Sequence, residues 1–77
     1  MSDTPADHLH DQNADAFSRA VQRVRAEFLE MPGLTLTVAQ ASRLWSFETG
    51  FCVAVLSALE EARFLVRTRH SAFARAE

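Results

Sequence analysis

The sequence predicts one mainly α-helical domain closed by a small C-terminal β-hairpin, and three observations carry that reading. Apolar residues recur at helical spacing in three stretches between residues 13 and 62. Thr37 and Gln40 form a T-x-x-Q capping box that marks the start of one of those helices. After Ala62 the pattern changes to the alternation of extended chain. A chain of 77 residues has room for a single domain. Of its 37 apolar residues 13 are alanine, which leaves 24 larger side chains, Met1 and Cys52 included, to fill a core. Such a core supplies only about 3–5 kcal/mol, and a lone cysteine offers neither a disulfide framework nor a metal staple. Dimerisation or a protein partner is therefore expected.

The first helix is expected from Asn13, with Phe17, Val21, Val24 and Phe28 at i, i+4, i+7 and i+11 forming its inner stripe and Asn13 or Asp15 as cap. It should stop near Met31, because Pro32 disfavours helical geometry in the preceding residue and Gly33 suits a turn. Leu34, Thr35 and Leu36 alternate as a short strand does. The capping box then starts a helix of about two turns at Val38, with Leu36 placed to staple onto Ala41 and with Val38, Ala41, Ser42 and Trp45 facing inward. Ser46 and Phe47 form a tight connection to a third helix, about residues 47–61, whose buried stripe is Cys52, Val55, Leu56 and Leu59. Phe64–Thr68 and Ala72–Ala74 are the arms of the hairpin, with Arg69, His70 and Ser71 at its tip in place of the usual Asn-Gly or Asp-Gly.

Charge is divided unevenly along the chain. Residues 1–16 carry Asp3, Asp7, Asp11 and Asp15 and no base, whereas residues 17–77 carry all eight arginines against six glutamates. Residues 1–12 have too little apolar surface to offset their ordering entropy, so they are expected to be a disordered acidic tail on a domain spanning 13–77. His8 and His10 beside Asp7 and Asp11 make only an incomplete metal site. No apolar run reaches membrane-spanning length and no basic-then-apolar leader is present, so a cytoplasmic protein without membrane contact is expected. There is no Gly-rich phosphate loop, no second thiol and no histidine beside a nucleophile, so neither an enzyme nor a cofactor, nor any catalytic or metal site, is expected.

The stretch LTLTVAQASRLWSFETGFCVAVLSALEEARFLVRT, within residues 15–76, resembles the core of small bacterial winged helix-turn-helix regulators of the general MarR type. The resemblance implies a transcriptional regulator of double-stranded DNA, with the third helix in the major groove and the hairpin wing on the backbone. Carried onto this chain, the outward positions are Glu48, Thr49, Gly50, Val53, Ala54 and Ser57. Of these Glu48, Thr49 and Ser57 are candidates to contact bases, Arg43 a phosphate from the second helix, and Arg67 and Arg69 phosphates from the wing. The chain departs from the pattern in one respect that matters: no Arg, Lys, Asn or Gln stands between Ser46 and Ala62, although those are the side chains that read guanine and adenine. The second function class is therefore a protein-interaction module on the same scaffold, engaging a partner or a second copy of itself through Phe51, Val53 and Ala54 on the third helix. Trp45 and Cys52 read as core.

Overall fold

The computed structural model describes residues 5–76, with side chains from residue 14 onward. Three helices come first and a small antiparallel sheet closes the chain: α1 (Pro5–Glu30), β1 (Thr35–Thr37), α2 (Val38–Trp45), α3 (Thr49–Glu61), β2 (Leu65–Arg67) and β3 (Ala72–Arg75). The sheet order is β1-β3-β2. The short strand before α2 thus pairs with the last strand, Leu36 opposite Phe73, while Arg67 lies opposite Phe73 on the other side.

Among the described residues α1 runs from Pro5, so the helix extends at least eight residues ahead of the expected start. The acidic tail and the His8–His10 pair have side chains outside the described residues; the packing of α1 on the core is described from Phe17 on. Ala20, Val24 and Phe28 are buried, with Phe17 and Val21 packed at the margin. The helix ends at Glu30, and Leu34 N–H donates to the Met31 carbonyl at 2.9 Å to close a turn over Pro32 and Gly33. Gly33 keeps a negative φ, which makes this a turn of type I character, the form that also accepts Pro at its second position.

The capping box of α2 is complete. Gln40 N–H donates to Thr37 Oγ1 at 3.2 Å, and Thr37 N–H donates to Gln40 Oε1 at 2.9 Å. Ala41 and Trp45 are the buried residues of α2. The helix is closed by Ser46 in the left-handed region at φ 57°, with Phe47 N–H donating back to the Ser42 carbonyl at 3.0 Å. That sharp reversal sends the chain directly into α3, which starts at Thr49 rather than at residue 47 because Phe47 is used in the turn and Glu48 as the cap.

A second left-handed residue, Arg63 at φ 65°, ends α3 in a Schellman motif: Phe64 N–H donates to the Leu59 carbonyl and Arg63 N–H to the Glu60 carbonyl. A third, Ser71 at φ 61°, closes the hairpin. Ser71 N–H donates to the Thr68 carbonyl, while Thr68 Oγ1 accepts from the N–H groups of His70 and Ala72 at 3.2 Å. A four-residue turn followed by a left-handed residue needs no Asn-Gly, which explains how this tip forms without one.

The core gathers Val24, Phe28, Trp45, Val55, Leu56, Leu59, Leu65 and Phe73 from all three helices and the hairpin. An aromatic chain runs along one side of it. Phe28 lies 6.4 Å from Trp45, Trp45 6.1 Å from Phe47, Phe47 5.2 Å from Phe51 and Phe51 6.0 Å from Phe17, centroid to centroid. The last two contacts are edge-to-face, the arrangement ring quadrupoles favour. Cys52 is buried, its thiol directed at the Val38 carbonyl.

Candidate functional site

The outward side of α3 is positioned by Trp45 beneath the preceding helix, by the left-handed Ser46, and by the stripe Cys52, Val55, Leu56 and Leu59 that turns the opposite side into the core. What remains outside is Thr49, Gly50, Val53 and Ala54, all exposed, with Ser57 half-buried farther along. Val53 is 41% exposed. This surface is small-featured, uncharged and free of the Arg, Lys, Asn and Gln side chains that read guanine and adenine.

Glu48 does not point away as a reader of bases. It caps its own helix, its Oε1 accepting from the Phe51 N–H at 3.0 Å. Hydrogen bonds from the backbone of Phe51 and then Gly50 hold its carboxyl below the ordinary value of 4.5, so it is a carboxylate at neutral pH. Gly50 leaves room for this: a Cβ there would stand 3.2 Å from Glu48 Oε1, and the carboxylate would have to give way by a few tenths of an ångström. The positive end of the α3 dipole, where a phosphate would be favoured, is thus already occupied by an anion.

The structure separates Phe51 from Val53 and Ala54. Phe51 is half-buried against Phe17 and Phe47, so it ties α3 to α1 and to the α2–α3 turn. Val53 and Ala54 lie on the exposed side with Thr49 and Gly50.

On the hairpin, Arg67 and Arg69 differ in kind. Arg67 donates to Glu60 Oε1 at 3.1 Å and stacks over the Phe73 ring at 4.8 Å, which commits it to the end of α3 and to the sheet. Arg69 is exposed at the tip beside His70. Arg43 is exposed on α2, where with Leu36, Gln40 and Leu44 it borders a shallow groove of about 370 Å³. Leu44 there is 54% exposed. Arg75 stands at the other end of β3 from the tip, paired across from Leu65 and stacked over Phe64 at 5.0 Å. Arg25, on α1, lies over the same Phe64 ring at 5.1 Å and carries no sequence signal that would connect it to the hairpin, since fifty residues separate the two arginines.

Among the described residues no group of three metal-ligating side chains occurs, and no helix is long and apolar enough to cross a membrane. Comparison with protein-family models, with curated proteins and with solved structures found no match to this chain.

Proposed function

We propose that this chain is a winged helix-turn-helix module that binds a protein partner through the outward side of α3. The frame is supported by the order of elements, by the sharp left-handed connection between α2 and α3, and by a hairpin whose last strand pairs with the strand before α2. The observation that carries the function is electrostatic. The α3 segment has no cation from Ser46 to Ala62, and its start is filled by the Glu48 carboxylate. A helix that inserts between DNA strands must gain from phosphates on both sides, and this one offers repulsion instead.

The partner fits best as a helix with small apolar residues flanked by arginine or lysine. Gly50, Val53, Ala54 and Ser57 fall at i, i+3, i+4 and i+7, a row low enough for close backbone approach, and acids stand at both ends of it, Glu48 at one and Glu61 at the other. Two copies paired through this surface would bring like charges together, so a basic partner is favoured over self-association.

Selection of helical peptides from a displayed library on the full chain tests the reading. Enrichment of basic, small-apolar helices is expected, with binding weakened about tenfold or more by Val53→Asp, because an unpaired charge in an apolar contact costs several kcal/mol. Arg69→Ala should leave that binding unchanged. Selected peptides that bind Val53→Asp as well as the parent would sink the proposal, provided circular dichroism shows the variant folded.

DNA binding is the second reading, favoured by exposed cations at Arg43, Arg63 and Arg69. Contacts of this kind set position and salt dependence rather than sequence. Under it, Arg69→Ala should reduce duplex affinity equally across unrelated sequences and lower the salt slope by about one unit.

A further inference from the structure

The sheet has two outer strands, β1 and β2, on either side of β3, and they are not equally open. In an antiparallel ladder successive residues direct their N–H and C=O groups to opposite sides of the strand. On β3 the sides follow from two contacts: Thr68 N–H donates to the Ala72 carbonyl, and Ala76 N–H donates to the Phe64 carbonyl. Ala72, Ala74 and Ala76 therefore bond toward β2, and Phe73 toward β1. With Leu36 opposite Phe73, the backbone of Leu36 turns into the sheet, while Thr35 and Thr37 turn theirs away from it.

By the same count Leu65 and Arg67 turn outward on β2, but Leu65 is only 1% exposed, so that edge is covered. Thr35 is exposed. The Thr37 N–H is already taken by Gln40 Oε1 at 2.9 Å, and its carbonyl opens the hydrogen-bond ladder of α2 as that of a capping residue does. The open groups on the outer edge of β1 are thus the N–H and C=O of Thr35, and a bare edge of this kind is a template for one more strand.

A groove borders that edge. Gln40, whose side chain meets the outward Thr37 N–H, lines the groove of about 370 Å³ together with Leu36, Arg43 and Leu44. Leu44 is 54% exposed, and Arg43 is the charged side chain of the lining. Apolar walls, one cation and an unpaired strand edge therefore occur together.

We propose that the β1 edge and this groove bind an extended segment of a partner protein, added to the sheet as a further strand and carrying an apolar and an acidic residue two positions apart. Residues two apart share a face of a strand. The partner residue opposite Thr35 shares the face of Thr35, so the residues before and after it lie on the face of Leu36. The apolar one covers Leu36 and Leu44, and the carboxylate meets Arg43. Main-chain bonds at Thr35 supply affinity, and the groove supplies the choice of side chains. A second copy of the chain suits the site poorly, because neither β1 nor the groove lining contains an acid to meet Arg43. The residues belong to β1 and α2, so the proposal is independent of the α3 reading above.

The test is titration of the isotope-labelled full chain with the end-blocked peptide Thr-Thr-Thr-Leu-Thr-Glu-Thr. The backbone amide of Thr35 and the Nε–Hε of Arg43 should shift together and saturate, while the amide of Val53 should not move. Leu44→Ala should weaken binding about tenfold through lost apolar contact. Arg43→Glu should weaken it about tenfold or more, and a peptide with Lys in place of Glu should restore it. Of the two alternately N-methylated forms of the peptide, one should lose binding and the other keep it, since only one edge of an added strand faces β1.

If Arg43→Glu fails to fold, Leu44→Ala, at an exposed position, still decides the matter. No saturable shift at Thr35, full binding by Leu44→Ala, no rescue of a folded Arg43→Glu by the Lys peptide, or equal binding of both methylated forms would each overturn the proposal. Shifts at Thr35 that grow with protein concentration in the absence of peptide would assign the edge to a second copy and overturn it as well.

Discussion

Replacing Trp45 by alanine removes the side chain that joins α2 to the rest of the molecule, and its cost follows from the packing. Trp45 is 4% exposed and touches two aromatic neighbours, with Phe28 at 6.4 Å and Phe47 at 6.1 Å between centroids. Truncation of a buried tryptophan costs about 3–5 kcal/mol, the sum of lost transfer energy and of a cavity that incompletely closes. A domain of this size has a total stability of roughly 4–12 kcal/mol at the usual value per residue. At about 4–8 °C per kcal/mol, the melting temperature should fall by at least roughly 12 °C, and at the lower end of stability the chain unfolds. Trp45 is the single tryptophan and there is no tyrosine, so the parent can be followed by fluorescence, but the variant must be followed by far-UV circular dichroism during thermal and urea unfolding. Leu44→Ala is the control: it lies next along the same helix, is 54% exposed and should change stability by less than about 0.5 kcal/mol. A cooperative Trp45→Ala transition within a few degrees of the parent would refute the account of the core. So would a larger loss in Leu44→Ala.

Ser46→Gly should raise the melting temperature by a few degrees. It relieves a left-handed conformation at φ 57° that costs about 1–3 kcal/mol for a non-glycine residue, against about 0.4–1 kcal/mol of added unfolded-state entropy; a lower melting temperature would show that the serine side chain has a role of its own. Glu48→Gln should destabilise at neutral pH. Because the folded-state carboxyl titrates below its ordinary value, the advantage of Glu48 is present in full above about 4.5, diminishes as pH falls through the lowered value and is gone below it. Parent and variant melts that differ equally at all pH values would contradict this. Deleting residues 2–12 should leave the unfolding midpoint nearly unchanged, since the described core contacts of α1 begin at Phe17 and Asn13 can cap the shortened helix; a large drop in calorimetry would make the segment part of the fold.

Much of the architecture was legible because it is local. The Thr37–Gln40 box, the Pro32 stop, the stripe of Val24 and Phe28, and the inward Trp45 all follow from interactions within a few residues, and each appears where periodicity and capping place it. The candidate site was only half legible. The lack of base-reading side chains on α3 is a matter of composition, whereas the use of Glu48 as a cap in place of a DNA contact depends on how closely Gly50 lets it approach. Phe51 lies one residue from the core stripe, and only the position of Phe17 on a different helix decides that it is half-buried against the core.

By itself, then, the sequence determined where α1 stops and where α2 starts, which side chains could fill a core, and that the third helix would carry no positive charge. The tertiary structure decided three things that no local rule supplies. Ser46, Arg63 and Ser71 adopt left-handed conformations that ordinarily select glycine, each at the point where one element is turned into the next. The pairing of β1 with β3 joins residues nearly forty positions apart through three residues per strand, too short a segment to announce its partner. The meeting of Arg25 and Arg75 on Phe64 is of the same kind: a cation carries no mark in sequence of the ring it will stack on, and only the folded chain brings helix, turn and strand to one point.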